Sequence, residues 1–99
     1  LPLADIIMCA SLEAFKGTAV PADSRVHDAR PHPGQKLVAS RIRQIMSQSE
    51  ILASHSDCGK VQDPYSFRCA PQVHGAVNES LMQLRSTLEI EINSTTDNP

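Results

Sequence analysis

The stretch that decides the fold is Ala70-Pro71-Gln72-Val73-His74-Gly75-Ala76-Val77-Asn78-Glu79-Ser80-Leu81-Met82-Gln83-Leu84-Arg85-Ser86-Thr87-Leu88-Glu89-Ile90-Glu91-Ile92. Val73, Val77, Leu81, Leu84 and Leu88 recur at steps of four, four, three and four, a spacing that places apolar side chains on one face of an α-helix. Pro71 falls in the first turn, where its missing N–H loses nothing. The spacing predicts a helix over 70–92, roughly 34 Å long at about 1.5 Å per residue. Two shorter helices of the same chain cannot cover so long a rod. Its stripe is therefore expected to pack against other chains or further protein, driving self-association.

Outward toward the N-terminus, two more helical stretches are expected, which makes the chain all-α with three main helices. The first covers 3–16: Ile7, Ala10 and Ala14 lie near the helical period, and Leu3, Ile6, Leu12 and Phe15 broaden the apolar surface almost all round. Gly17 is the expected stop, taking the left-handed conformation that other residues resist. Residues 20–35 carry Pro21, Pro31, Pro33 and Gly34 and should be irregular, with one short helical turn after Asp23-Ser24. The second helix is expected over 33–54, with Val38, Ile42, Ile45 and Leu52 inward and Arg41, Arg43 and Gln44 facing elsewhere.

Composition narrows the function classes. Nine basic and eleven acidic residues give a formal charge of −2, too balanced for a nucleic-acid or anionic-membrane surface. No stretch approaches the roughly 20 apolar residues that span a bilayer. Three cysteines, Cys9, Cys58 and Cys69, cannot all pair within one chain, which fits a reduced, cytoplasmic protein better than a secreted disulfide framework. Leu1-Pro2-Leu3 has no initiator Met and Asp97-Asn98-Pro99 reads as a turn leading onward, so we expect an excerpt of something longer.

The segment between the second and third helices carries the chemistry. Asp63-Pro64 reads as a helix N-cap followed by a first helical position. Gln62, Tyr65 and Arg68 are spaced three apart, so a short turn there would fan an amide, a phenol and a guanidinium over roughly 120° of an α-helix or nearly align them on a 3₁₀ turn. Such a trio suits an amino acid. Arg68 offers a planar fork for a carboxylate, Gln62 can donate and accept, and Tyr65 can give a proton or, with a lowered pKa, take one. From spacing alone, capping and surface contacts in a connector are the commoner reading, since short polar turns are frequent.

Three blocks in order carry a resemblance: Arg30-Pro31-His32-Pro33-Gly34-Gln35, then Val61-Gln62-Asp63-Pro64-Tyr65-Ser66-Phe67-Arg68-Cys69-Ala70-Pro71-Gln72-Val73-His74-Gly75, then Glu89-Ile90-Glu91-Ile92-Asn93-Ser94 through Thr96-Asp97-Asn98-Pro99. Together they resemble the aromatic amino acid lyases, and Ser66 and Val73-His74-Gly75 lie closer to the histidine ammonia-lyase branch than to the plant phenylalanine branch. The resemblance implies a piece of the central helical region of such an enzyme, which eliminates ammonia from L-histidine to give urocanate. It implies a homotetramer whose central bundle is built of long helices. It also implies that Tyr65 takes part in proton handling, that Arg68 holds the substrate carboxylate and that Gln62 lines the same pocket. The family's electrophile, 4-methylidene-imidazol-5-one (MIO), forms from an internal Ala-Ser-Gly. None occurs here: the Ala-Ser pairs are Ala10-Ser11-Leu12, Ala39-Ser40-Arg41 and Ala53-Ser54-His55. The chain alone is expected to be inactive.

Competing readings are a phenylalanine or tyrosine lyase or an aminomutase of the same family, and a non-catalytic helical oligomerisation module. His55, Cys58, Cys69 and His74 are zinc-ligand types, but their spacing lies off the usual finger patterns, so no metal is assigned. His27 and His32 are expected to make structural hydrogen bonds, His74 to pack beside the site, Cys69 to be a small buried residue, and Glu79, Glu89 and Glu91 to cover the solvated or inter-helix face.

Overall fold

The computed structural model describes residues 2–95, and these form an all-α fold with no strand among them. The elements are α1 (Pro2–Phe15), a 3₁₀ turn (Val20–Ala22), α2 (Ser24–Asp28), α3 (Pro33–Met46), α4 (Glu50–Ala53), α5 (Tyr65–Arg68) and α6 (Ala70–Ile92). The long helix expected over 70–92 has those bounds. Thr96–Pro99, the end of the third resembling block, lie outside the described residues.

The core is small and sits where α1, α3 and the start of α6 cross. Met8, Cys9 and Leu12 from α1 meet Val38, Ala39, Ile42 and Met46 from α3, with Ala22 and Ala70 closing the ends. The α1 face that turns inward is therefore Asp5, Met8, Cys9 and Leu12, not the line through Ile7, Ala10 and Ala14. Apolar composition all round a helix gives no direction by itself; here a buried acid supplies it. Asp5 is fully buried, and its carboxylate accepts from Arg41 Nη1 of α3 at 3.1 Å and pairs with His74 Nδ1 of α6 at 2.8 Å. One carboxylate thus ties three helices together. Burial, with Asp5 and Glu13 nearby, pushes the Cys9 thiol up to about 11, so it stays a neutral packing group.

The segment expected as one helix over 33–54 is two. Helix α3 ends at Met46, and Ser49 caps a new helix, its hydroxyl accepting from Leu52 N at 3.1 Å and donating to Glu13 Oε1 of α1 at 2.5 Å. Serine competes for backbone groups in this way, which is why Ser47-Gln48-Ser49 breaks the rod. With the break, Ile45 is left exposed and Met46 takes the inward place.

Helix α1 closes with paired bonds from Lys16 N to Glu13 O and from Gly17 N to Leu12 O, both 2.9 Å, and Lys16, not Gly17, holds the left-handed position at φ 57°. Gly17 is required for space instead. A Cβ there would lie 2.5 Å from Leu12 Cδ1 and 2.8 Å from Asp63 Oδ2. Glycine works similarly at the α3–α6 crossing, where Gly34 and Gly75 meet backbone to backbone and a Cβ on either would enter the other helix. Glu79 of α6 accepts from Gly34 N at 2.6 Å, satisfying one of the free N–H groups at the start of α3.

Beyond this crossing α6 runs on alone. Every residue from Ser80 to Thr95 is exposed, and Val73, Val77, Leu81, Leu84 and Leu88 all remain about half exposed. The outer face of α1, with Leu3, Ile6 and Ile7, is likewise uncovered. No helix among the described residues is long and apolar enough to cross a membrane.

Candidate active-site segment

The turn bearing Tyr65 and Arg68 is docked by its third residue. Phe67 of α5 packs partly buried against the core and meets the Phe15 ring at 5.3 Å between centroids. With Phe67 inward, Tyr65 points outward and is exposed. The Arg68 guanidinium lies 5.7 Å from the Tyr65 ring centroid, near enough for cation–π attraction. Its Nε donates to the Asp63 carbonyl at 2.9 Å.

Asp63 does not serve as the expected N-cap. Pro64 occupies that position, and its N–H-free backbone leads into Tyr65. The Asp63 carboxylate turns inward instead, 5% exposed, and accepts from Thr18 N at 2.6 Å. Because α5 begins only at Tyr65, Gln62 stands before the helix and does not share its turn. It lines a cleft of about 320 Å³ with Lys16, Thr18, Leu52, His55 and Lys60, and neither Tyr65 nor Arg68 belongs to those walls. The structure brings together the phenol and the guanidinium, and it leaves the amide apart from them.

The Tyr65 phenol is held above its ordinary pKa, chiefly by hydrogen bonding with the Cys69 thiol, although Arg68 pulls the other way. A raised phenol keeps its proton more firmly than a free tyrosine. Cys69, expected to be buried, is only partly so and faces Tyr65.

The remaining polar residues mostly build the scaffold. His27 is buried, with Nε2 donating to Pro21 O and Nδ1 accepting from the Gln35 amide, both at 2.9 Å, while Gln35 Oε1 accepts from Arg30 Nη1 at 2.7 Å. This chain of bonds fixes the 30–35 block onto the start of α3. The His27 expectation is met; His32 is exposed and its ring makes no hydrogen bond among the described residues. His74 is held by Asp5 of α1 at the three-helix crossing. Glu79 lies between helices and Glu89 pairs with Arg85 at 2.7 Å on the exposed face. Among the described residues no three His, Cys, Asp or Glu side chains converge as metal ligands, so His55, Cys58, Cys69 and His74 do not form a site there.

Sequence reasoning missed Asp5, and an acid inside an otherwise apolar helix was the available signal. It also missed the inward role of Asp63 and the meeting of Gly34 with Gly75, which only the tertiary crossing reveals. The three Ala-Ser pairs do not fit an MIO precursor: each lies in or at the end of a helix (α1, α3, α4) and is followed by Leu12, Arg41 or His55, not glycine.

The described residues form an all-α segment in which one short turn presents a phenol and an arginine next to a long, largely uncovered helix. The profile of the aromatic amino acid lyase family matches residues 1–99, and the chain belongs to that family. It is 50% identical over 97 residues to the histidine ammonia-lyase of Myxococcus xanthus, covering 98% of this chain and 19% of that protein. It is 48% identical over 96 residues to that of Koribacter versatilis, covering 97% and 19%, and 46% identical over 100 residues to that of Bos taurus, covering 97% and 15%. The chain therefore spans about a fifth of the length of the bacterial relatives it matches.

Proposed function

We propose that this chain is a segment, residues 1–99, of the central helical region of a histidine ammonia-lyase, contributing part of the site where L-histidine loses ammonia to give urocanate. The observation that carries the reading is the paired presentation of Tyr65 and Arg68 on one docked turn, within a block similar to proteins named histidine ammonia-lyases. Arg68 supplies the fork for the substrate carboxylate, its charge always present and its geometry bidentate. Tyr65, protonated and outward, is the proton-handling group, and Gln62, which this chain alone leaves in a separate cleft, is proposed to join the pocket only in the assembled enzyme.

Two further parts of the proposal follow from what these residues lack. MIO, the family's electrophile, comes from chain outside them, and the segment alone is inactive. The half-exposed stripe of α6 and the uncovered face of α1 are surfaces that further subunits would cover, in keeping with a homotetramer. Placement in the cytoplasm accords with cysteines left unpaired among the described residues.

The test is turnover by the whole protein that carries this segment. Urocanate formation from L-histidine, followed by its ultraviolet absorbance, supports the reading; turnover of L-phenylalanine or L-tyrosine in its place assigns another branch of the family. In the same protein Arg68→Lys should raise KM about tenfold or more, since an ammonium keeps charge but loses the fork. Unchanged kinetics would remove Arg68 from the site.

A further inference from the structure

We infer that Asp63 is a positioning residue that aims the Arg68 guanidinium at the substrate carboxylate. The inference rests on the reading of Arg68 just given. Asp63 bonds in two directions at once. Its carboxylate, 5% exposed, accepts from Thr18 N at 2.6 Å, pinning the approach to α5 against the loop that follows α1. Its backbone carbonyl accepts from Arg68 Nε at 2.9 Å, holding the inner nitrogen of the guanidinium. With Nε committed, the two terminal nitrogens are what remain for a carboxylate, which is then met end-on.

Gly17 supports this seat from the other side. A Cβ at residue 17 would lie 2.8 Å from Asp63 Oδ2, so the bare backbone there is what lets the carboxylate reach the Thr18 N–H. Helix α5 has a second and separate anchor in the Phe67–Phe15 contact, 5.3 Å between centroids. Loss of the Asp63 carboxylate therefore leaves α5 docked while its preceding residues swing, and the guanidinium loses its fixed direction. An arginine freed in this way must be reordered each time a ligand binds, which weakens binding of carboxylates alone. Asp63 itself, turned inward, does not touch substrate.

The experiment uses the whole protein that carries this segment, with inhibition constants measured for urocanate, which has a carboxylate, and histamine, which has none. Asp63→Ala should weaken urocanate about fivefold to tenfold and leave histamine within about twofold. Asp63→Asn, whose amide oxygen can still accept from Thr18 N, should recover most of the loss. Combined with Arg68→Ala, Asp63→Ala should add nothing beyond the arginine variant, because both act through one grip. Equal losses for the two inhibitors, or losses that multiply in the double variant, would overturn the positioning role. If Arg68→Ala alone leaves urocanate binding unchanged, the carboxylate reading of Arg68 fails first and the inference falls with it. Should Asp63→Ala fail to fold, Thr18→Pro deletes the same hydrogen bond from the donor side. The same selective loss is expected there, and its absence counts against the role.

Discussion

Replacing Asp5 by alanine should cost about 3 kcal/mol of stability, because it removes a buried carboxylate that joins three helices through Arg41 and His74. The Asp5 side chain is 0% exposed, while its partners Arg41 and His74 keep 28% and 26% of their side-chain exposure. Truncating one member of a buried ion pair typically costs about 3–5 kcal/mol, mostly because the partner is left unpaired. Here both partners can still reach water, so the lower end of that range applies. Asp5→Asn keeps an acceptor and loses the charge, and should cost about half as much. The assay is urea unfolding of the 99-residue chain followed by helical circular dichroism. With a slope near 1–1.5 kcal/mol per molar for a chain this size, the alanine midpoint should fall by about 2–3 M. If the variant is already unfolded in buffer, loss of the helical signal at zero urea is the same outcome. A double-mutant cycle with His74→Ala should show coupling of about 1 kcal/mol or more. An Asp5→Ala variant within about 0.5 kcal/mol of the parent would refute the claim that this carboxylate joins the helices.

Gly75→Ala should destabilise by about 1–3 kcal/mol, since overpacking against the α3 backbone outweighs the roughly 1 kcal/mol that alanine gains in helix propensity. Gly59→Ala, with nothing within 4 Å of its added Cβ, should be close to neutral in the same unfolding assay. The Asp23 carboxyl, which accepts from the Arg25 side chain and backbone, should titrate near 2, and Arg25→Gln should bring it back toward 3.8 by NMR. Its folded pKa is depressed, so the cap on α2 is complete above the unfolded value and is lost as pH falls through the folded one. The chain should sediment as a dimer or larger species, and Leu81→Glu with Leu88→Glu should shift it to monomer, each half-exposed leucine contributing about 1 kcal/mol when covered; a wild-type chain that stays monomeric at high concentration would count against the stripe.

How much of this was legible in the sequence depended on whether the signal was local. The bounds of α6 could be read because periodicity, a first-turn proline and length agree. The single rod expected over 33–54 failed at a local signal too, the serine pair around Gln48, where capping by Ser49 competes with continued helix. The inward face of α1 was illegible from hydrophobicity, because Leu3, Ile6 and Ile7 are as apolar as Met8 and Leu12. Only the place of Asp5 opposite Arg41 and His74 decides it. In the site, the short turn and the pairing of Tyr65 with Arg68 were readable from spacing. The displacement of Gln62 was not: it follows from Asp63 choosing the distant Thr18 amide over the local cap, a tertiary preference that no spacing encodes.

The most direct measurement is a crystal structure of the assembled protein with urocanate bound. The account predicts the ligand carboxylate within hydrogen-bond distance of both terminal nitrogens of Arg68, with Tyr65 facing the reacting carbons. A carboxylate held by other residues, with Arg68 turned away, would contradict it.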